Sequence, residues 1–241
     1  MNQTSGKTNM KVTLVNYTND AARILILAKS TRLDMNSSIF EKILRMTDDE
    51  LDAELDYIAN TVPSAWEFCH YTFLVEGVSR NCTHQMVRTR TGSYAEQSMR
   101  VTDQSDFAFV MPESIENGFF RNALTEIKYA YVEAINDGKQ PEDARCILPG
   151  NISTNILCCY NLRSFSQLVQ SRTGGRTQRE YQSVVSSMVY EVLKIHPWAE
   201  KFLFKKQRDY FAEIEAFALK EFPDLKKRGE LLKIVDKMRH E

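Results

Sequence analysis

Residues 71–90 read YTFLVEGVSRNCTHQMVRTR, and this segment gives the clearest indication of the fold class. Its first part, residues 71–76, is rich in β-branched and aromatic side chains and predicts a strand that stops at Gly77. Its second part, residues 79–90, opens on a serine suited to capping and predicts a helix that Gly92 breaks. A strand that leads directly into a helix indicates a mixed structure of sheet and helices.

The residues before this stretch continue the mixed pattern. Residues 10–17 alternate in polarity and predict a strand, after which Asp20 is expected to cap an apolar helix that runs through Leu33. Two helices with polar faces follow. The second is expected to open at Thr47, which forms a capping box with Glu50 three positions later.

The residues after the stretch add more helix than strand. Residues 106–111 predict another strand, and residues 114–136 predict a long amphipathic helix that stops at Gly138. Residues 152–159 suit either a strand or a buried helical turn, and the sequence leaves both open. Residues 161–171 and the chain beyond Gly174 predict helices, the latter with breaks at Pro197 and Pro223.

The fold predicted from these patterns is of the α+β class. We expect one domain over residues 1–241, with a central, mostly antiparallel sheet packed by several helices and a long helical C-terminal part. The composition agrees, because 43% hydrophobic and 26% charged residues are typical of a globular protein.

Charge and cysteine usage exclude several classes of function. The net charge of −1 argues against a general nucleic-acid or anionic-membrane binder. No apolar run approaches the roughly 20 residues of a membrane span, so we expect a cytoplasmic protein. The five cysteines and four histidines show no zinc-type spacing, so neither a metal site nor a disulfide framework is predicted.

The arginines are concentrated in the middle of the chain. Residues 80–179 contain ten Arg and two Lys, whereas the rest of the chain contains six Arg and thirteen Lys. Only arginine offers a planar fork that can hold a phosphate or carboxylate in two places. Ordinary ion pairs are the alternative explanation, since the same hundred residues also carry ten acidic side chains.

Residues 85–100 arrange polar groups as a candidate anion cradle. Gln85 and Arg88 lie three apart and would share one face of a helix. In an extended segment Glu96, Ser98 and Arg100 would lie on one side, and the last two suit a phosphate. Spacing alone names no substrate.

The motif Arg88-Thr89-Arg90, followed by seven residues and Ser98, resembles the signature of the flavin-dependent thymidylate synthases, R-H-R, seven residues and Ser. The flanking residues strengthen the resemblance, which spans about residues 60–200. They include Glu76-Gly77-Val78-Ser79-Arg80, Thr83-His84-Gln85-Met86-Val87, Ala144-Arg145-Cys146, Asn161-Leu162-Arg163-Ser164, Arg172 and Gln178-Arg179-Glu180.

The resemblance implies an enzyme that converts dUMP to dTMP. Methylenetetrahydrofolate would donate the one-carbon unit, FAD would be the cofactor, NADPH would be the reductant, and the active site would be shared within a homotetramer. Arg172 would be catalytic, lying against the uracil ring. The implied dUMP residues are Gln85, Met86, Val87, Arg88, Glu96, Gln97, Ser98, Met99, Arg100, Arg145 and Arg172, and the implied FAD residues are Ser64, Arg88, Arg90, Glu96, Asn161 and Arg163.

The departures from the family pattern cluster on the flavin side. Thr89 replaces the signature histidine, and Val62, Ala95 and Gln167 also differ from residues common in the family. Two alternatives therefore stay open: a flavin-dependent dUMP hydroxymethylase, and a nucleotide-binding relative without catalysis. A helical scaffold or nucleic-acid binder that uses the Lys-rich C-terminal end is a third.

Overall fold

The computed structural model describes residues 10–32, 38–115, 118–204 and 210–240. The strands are β1 (Lys11–Tyr17), β2 (His70–Ser79), β3 (Ser93–Glu96) and β4 (Ser153–Asn161). The α-helices are α1 (Ala21–Ser30), α2 (Ile39–Leu44), α3 (Asp48–Thr61), α4 (Arg80–Met86), α5 (Gly118–Asn136), α6 (Pro141–Ala144), α7 (Leu162–Arg172), α8 (Arg179–Ile195), α9 (Glu200–Leu203), α10 (Tyr210–Glu221) and α11 (Leu225–His240).

The four strands form one antiparallel sheet in the order β1-β2-β4-β3. Along β2, Tyr71, Phe73 and Val75 are fully buried and the residues between them are partly exposed, as expected for a strand with one face on a core. The predicted α+β class with an antiparallel sheet is confirmed. Residues 152–159, which suited a strand or a helix, lie mostly in β4.

Helices α7 and α8 cover the buried face of the sheet. Phe165 and Leu168 on α7 and Val185 and Met188 on α8 are buried in the same apolar cluster as the strands. The Phe165 ring centroid lies 5.5 Å from that of Phe73. Burying one such side chain stabilises the fold by about 1.5–3 kcal/mol, so this packing holds both helices against the sheet.

Strand β2 does not stop at Gly77 as predicted but continues to Ser79. Gly77 has a φ of 69°, which a residue with a side chain rarely adopts. The pairing with β4 shifts by one residue between Val75 and Val78, so Gly77 lies in a β-bulge. The strand continues to Ser79 because the bulge accommodates the left-handed backbone of Gly77.

Helix α4 begins where the sequence predicts and ends earlier than expected. Ser79 caps it, since its hydroxyl accepts a hydrogen bond from the Cys82 N–H at 3.1 Å. The helix ends at Met86, four residues before the predicted end at Arg90. Gly92 then lies against Tyr160, and a Cβ at Gly92 would come within 2.6 Å of that ring.

The predicted strand over residues 106–111 is wrong. This segment makes one bridge, Phe109 to Ile152, next to the start of β4. Its apolar side chains instead build a second cluster, in which Phe107 packs with Tyr131 and Ile152. Packing into that cluster, not strand pairing, explains the apolar composition of the segment.

The N-terminal caps divide into one correct and one wrong prediction. Thr47 and Glu50 form the predicted capping box, with the Thr47 N–H donating to Glu50 Oε2 at 2.8 Å. Asp20 does not cap α1, because its backbone is left-handed and its carboxylate bonds Arg23 at 3.2 Å. Helix α1 ends at Ser30, and the predicted end at Leu33 lies outside the described residues.

The long helix α5 starts later than predicted. Residues from Glu113 to Ile115 form a separate 3₁₀ turn, residues 116–117 lie outside the described part of the chain, and α5 begins at Gly118. Its predicted stop is confirmed, because Gly138 follows with a φ of 77°.

The chain divides into two compact units, Met1–Phe204 and Lys205–Glu241. The first contains the sheet and helices α1–α9. The second consists of α10 and α11, which pack together with Ala218 and Val235 buried. The predicted helical C-terminal part is confirmed, and one domain for the whole chain stays a prediction. Among the described residues, no helix combines the length and apolarity needed to cross a membrane.

Candidate active site

Ser79 connects three elements around the candidate site. Its hydroxyl donates to Glu180 Oε2 at 2.6 Å, and its backbone N–H donates to Glu180 Oε1 at 2.7 Å. Glu180 lies in the first turn of α8. Two charge-assisted hydrogen bonds of this kind are stronger than neutral ones. They fasten the start of α8 to the junction between β2 and α4.

Glu96, at the end of β3, is held by the first turns of α4. Its Oε2 lies 3.6 Å from Arg80 Nη1, and its Oε1 accepts a hydrogen bond from the Thr83 hydroxyl at 2.8 Å. Arg80 also donates to the carbonyl of Gln97. Helix α4 therefore fixes both the carboxylate and the backbone that leads to Ser98.

Gln85 is oriented by a second glutamine. Its amide nitrogen donates to Gln178 Oε1 and, at 3.5 Å, to the carbonyl of Asn81. Gln178 in turn donates to Glu180 Oε2 at 3.5 Å. Because both amide hydrogens of Gln85 are used, its Oε1 is the side-chain atom with which it can accept a hydrogen bond from a ligand.

Arg100 and Arg145 both bond to Glu142 although they are 45 positions apart. Arg100 Nε donates to Glu142 Oε2 at 2.8 Å, and Arg145 Nε donates to the carbonyl of the same residue at 3.2 Å. The Arg100 N–H also donates to the Ser98 hydroxyl at 3.2 Å. Two exposed guanidinium groups and a hydroxyl on one surface suit the binding of a phosphate.

Arg172, the last residue of α7, lies on an aromatic ring. Its Cζ is 5.6 Å from the ring centroid of Tyr181, within cation–π range. Its Nε is buried and has no hydrogen-bond partner, and no carboxylate of the described residues forms an ion pair with it. Among the described residues, no acidic side chain therefore compensates the positive charge of Arg172.

A second group of predicted residues lies at the other end of α7. Asn161 caps the helix, and Arg163 in its first turn donates to Glu67 Oε1 at 2.6 Å. Nearby in the chain, the Ser64 hydroxyl accepts from Arg32 at 3.0 Å. Arg163 and Arg172 are nine residues apart, about 14 Å along the helix axis.

The buried thiols are poor nucleophiles. Burial raises the pKa of Cys69 to about 11 and that of Cys158 to about 12, and burial also raises the pKa of Cys82. These groups therefore stay protonated at neutral pH, whereas a reactive cysteine needs a lowered pKa. We therefore look to the arginines, carboxylates and amides, and not to these three thiols, for the groups that act on a ligand.

Comparison with known proteins identifies the family. Residues 13–198 match the family model described as thymidylate synthase complementing protein. The chain is 34% identical over 195 residues to the flavin-dependent thymidylate synthase of Sulfurisphaera tokodaii, covering 78% of this chain and 75% of that protein. The chain belongs to the flavin-dependent thymidylate synthase family.

Other flavin-dependent thymidylate synthases agree. The enzyme of Sulfolobus acidocaldarius is 35% identical over 199 residues (78% of this chain, 74% of that protein), and that of Pyrococcus furiosus is 34% identical over 197 residues (77% and 80%). A solved UMP/dUMP methylase from Streptomyces cacaoi, bound with 5-Br dUMP, superimposes with a TM-score of 0.66 at 20% identity. It covers 81% of this chain and 95% of that one, which shows a shared fold.

The flavin-dependent thymidylate synthase signature lies on two turns. Because α4 ends at Met86, Arg88 lies in the following turn, where its N–H donates to the Gln85 carbonyl at 3.3 Å. Arg88 therefore lies just outside the assigned helix, and a shared face for the Gln85 and Arg88 side chains stays a prediction. Arg90 lies on the next turn, which the Gly92 N–H closes by donating to the Thr89 carbonyl at 3.0 Å, and Ser98 comes two residues after β3.

The predicted row of Glu96, Ser98 and Arg100 is wrong. Strand β3 ends at Glu96, whose carboxylate bonds α4, whereas the Arg100 side chain bonds Glu142. The reason is that the edge of β4 beyond β3 is taken by residues 108–110, as the Ser153 N–H donates to the Ala108 carbonyl at 2.8 Å. The chain after Glu96 has no strand to pair with, so it turns away.

Three residues predicted to bind the nucleotide differ in the exposure of their side chains. Met86 is fully buried, so only its backbone could reach a ligand. Val87 is 40% exposed, and Met99 packs against the second apolar cluster. Their binding roles stay predictions.

The residues predicted to bind FAD fit a dinucleotide by their chemistry. Arg88 and Arg90 are exposed, and neither forms an ion pair within the described part of the chain. Two exposed guanidinium groups two residues apart suit the diphosphate of FAD. Arg163 and Ser64, by contrast, already have partners in Glu67 and Arg32. The fit is best at Arg88 and Arg90.

Sequence reasoning missed several residues that build this site. Glu180 and Gln178 were noted only as part of the family pattern, and Tyr181, Glu142 and Arg80 carried no predicted role. Their signal was present in part, since Ser79 was recognised as a helix start. Glu180, which bonds the α4 cap Ser79, belongs to another helix about a hundred residues later, so no local sequence pattern links the two.

Proposed function

We propose that this protein is an FAD-dependent thymidylate synthase that converts dUMP to dTMP, with methylenetetrahydrofolate as the one-carbon donor and NADPH as the reductant. The observation that carries the proposal is the charge of Arg172, which has no counter-ion among the described residues. Arg100 and Arg145 both bond to Glu142, and a phosphate would have to displace that carboxylate from Arg100.

Ser98, Arg100 and Arg145 would bind the phosphate of dUMP. The two guanidinium groups supply charge, and the hydroxyl of Ser98 supplies a further hydrogen bond. Gln85 would accept a hydrogen bond from a donor group of the nucleotide through its Oε1. Glu96, held by Arg80 and Thr83, keeps the loop that carries Ser98 in place.

Arg172 would act on the uracil ring. Atom C5 of uracil is a weak nucleophile until negative charge builds up on the ring, and a fixed guanidinium at the carbonyl edge stabilises that charge. Arg172 suits this role because no carboxylate of the described chain neutralises it. No cysteine nucleophile is needed, in agreement with the protonated, buried thiols.

Arg88 and Arg90, with Ser64, Glu96, Asn161 and Arg163, would hold FAD, which after reduction by NADPH would supply the hydride that completes the methyl group. The chain's own contribution is to hold the cofactor and the nucleotide side by side. Arg88 and Arg90 would neutralise the diphosphate, and Arg163 would exchange Glu67 for the ligand.

We further propose a homotetramer with shared active sites. Arg163 and Arg172 belong to one predicted site but lie about 14 Å apart along α7. In a site assembled from two chains, Arg163 and Arg172 would bind different ligands or the two ends of one long ligand, and a neighbouring chain would supply the residues between them. The buried, unpaired cysteines agree with a reducing compartment, so we place the protein in the cytoplasm.

A hydroxymethylase is the second candidate function. The observation that favours it is Thr89 at the signature histidine position, where its carbonyl accepts a hydrogen bond from the Tyr94 hydroxyl at 2.8 Å. A changed flavin side could let water capture the one-carbon intermediate instead of hydride. A nucleotide-binding relative without FAD is the remaining alternative.

One reaction separates these functions. Purified protein is incubated with dUMP, methylenetetrahydrofolate, FAD and NADPH, and the product is identified by mass spectrometry, with Arg172→Ala as the control. We expect dTMP. Hydroxymethyl-dUMP as the only product would indicate a hydroxymethylase. A protein that retains no flavin absorbance once unbound FAD has been removed would indicate the relative without catalysis.

A further inference from the structure

The arginines of the candidate site are held in two different ways. Arg80, Arg100 and Arg163 each form an ion pair with a glutamate, at 3.6, 2.8 and 2.6 Å. Arg172 instead lies over the ring of Tyr181. An aromatic face attracts a cation without adding a negative charge, so it orients an arginine without neutralising it.

Tyr181 is a rigid platform. Its side chain is fully buried, and it follows Glu180, whose carboxylate bonds Ser79 through two hydrogen bonds. The turn between α7 and α8 is fastened as well, since the Gln182 amide donates to the carbonyls of Thr173 and Gly174 at 3.3 and 2.7 Å. The ring and the guanidinium are thus held from both sides of the turn.

Arg172 contacts Tyr181 through the face of the ring and not through a hydrogen bond. The Nε of Arg172 and the hydroxyl of Tyr181 are both buried without a hydrogen-bond partner. Burial raises the pKa of Tyr181 to about 12, so the phenol is neutral at physiological pH. A neutral ring under a charged guanidinium leaves the full positive charge for a ligand.

We propose that Tyr181 is a positioning residue that seats Arg172 on its ring, so that the guanidinium is oriented toward an ionised uracil while keeping its charge uncompensated. This inference rests on the proposed function, because it assumes a uracil nucleotide beside Arg172. It assigns a role to the residue that follows the Gln178-Arg179-Glu180 segment. Tyr181 acts through Arg172 and does not itself need to contact the substrate.

The test measures binding of an ionisable nucleotide instead of turnover. A halogen at C5 withdraws electrons and makes the uracil ring more acidic, so 5-bromo-dUMP is titrated against the FAD-loaded protein at a pH where its ring is ionised. We expect Tyr181→Leu to weaken this binding about threefold to tenfold, and Tyr181→Phe, which keeps the ring, to bind within about twofold of the original protein.

Two controls separate seating from general damage. Tyr71→Leu makes the same substitution at another fully buried tyrosine, and its affinity for 5-bromo-dUMP should not change. The ultraviolet absorbance change that marks the ionised ring should move to higher pH in Tyr181→Leu and in neither Tyr181→Phe nor Tyr71→Leu. Equal binding and equal titration in Tyr181→Leu and the original protein would overturn the proposal.

A second series keeps the proposal testable if Tyr181→Leu does not fold. Phenylalanines with increasing numbers of fluorine atoms, incorporated at position 181, preserve the shape of the ring and weaken the negative charge on its face. The affinity for 5-bromo-dUMP should fall stepwise with each fluorine, and a flat series would refute the seating role. Failure of the original protein to bind dUMP or 5-bromo-dUMP would instead contradict the proposed function.

Discussion

The two ends of helix α7 carry arginines in opposite surroundings. At the first end, Arg163 is 44% exposed and paired with Glu67, and at the last, Arg172 lies on Tyr181 with its Nε buried and unpartnered. A paired, solvated arginine contributes little energy and exchanges its partner easily. An unpaired arginine on a rigid ring is ready for a ligand charge that appears only during the reaction. The helix thus separates an arginine suited to binding from one suited to catalysis.

The largest effect is expected at the Arg172 end. Arg172→Ala should lower turnover by about 10²–10³, the usual value of one electrostatic group aimed at developing charge. The melting temperature should stay close to that of the original protein, because the side chain makes no ion pair in the described chain. If Arg172→Ala turns over as fast as the original protein, Arg172 has no role in the mechanism, and the two ends of α7 do not differ in function.

Arg100, the proposed phosphate ligand, should show the next largest effect, and this effect should be on affinity and not on rate. Arg100→Ala should weaken dUMP binding by about tenfold to a hundredfold, the range of a charge-assisted hydrogen bond. Calorimetric titration with dUMP measures it, and Arg23→Ala on α1, an arginine paired with Asp20 away from the candidate site, is the matched control. If both variants bind equally well, the phosphate lies elsewhere.

Glu180→Gln tests the fastening beneath the Arg172 end. The substitution keeps the shape and removes the charge that receives two hydrogen bonds from Ser79. The free energy of unfolding should fall by about 1–3 kcal/mol, as measured by urea denaturation. Nucleotide binding should weaken as well, because Gln178 loses its orienting partner. An unchanged stability would show that α4 and α8 are held by packing alone.

The smallest effect belongs to the Arg163 end. Separate Arg163→Ala and Glu67→Ala variants should each change the free energy of unfolding by at most about 1 kcal/mol, as for an exposed ion pair. Their FAD affinities should differ, however. Removing Arg163 should weaken FAD binding, whereas removing Glu67 should leave it equal or tighter. If both variants lose FAD binding to the same extent, the ion pair itself is the needed element.

The sequence predicts those parts of the fold that depend on neighbours in the chain. The capping box of Thr47, the strand-to-helix junction at Ser79 and the stop at Gly138 are all set within a few residues. Residues 106–111 were misjudged because their apolar side chains serve a cluster with Tyr131, and the composition of a segment does not reveal which partner it packs against.

The candidate site shows the same limit. The family signature located Arg88, Arg90 and Ser98, and the excess of arginine in residues 80–179 pointed to an anion site. Local spacing could not show that Arg100 and Arg145 both bond to Glu142, because that contact depends on the fold. Nor could it place Tyr181 beneath Arg172, since the turn between α7 and α8 decides which side chain lies under the guanidinium.

The bulge at Gly77 makes this protein tolerant of a change in chain length at one position. The register moves from Val75 opposite Ile156 to Val78 opposite Thr154, so three steps along β2 match two along β4, and both valines stay on the buried side of the sheet. Deleting one residue of the bulge would leave a regular strand in which Val78 still lies opposite Thr154 and Ser79 keeps its side. The same deletion between Tyr71 and Val75 would turn part of the strand over, so during evolution the loss of a residue should be tolerated better at the bulge than elsewhere in β2.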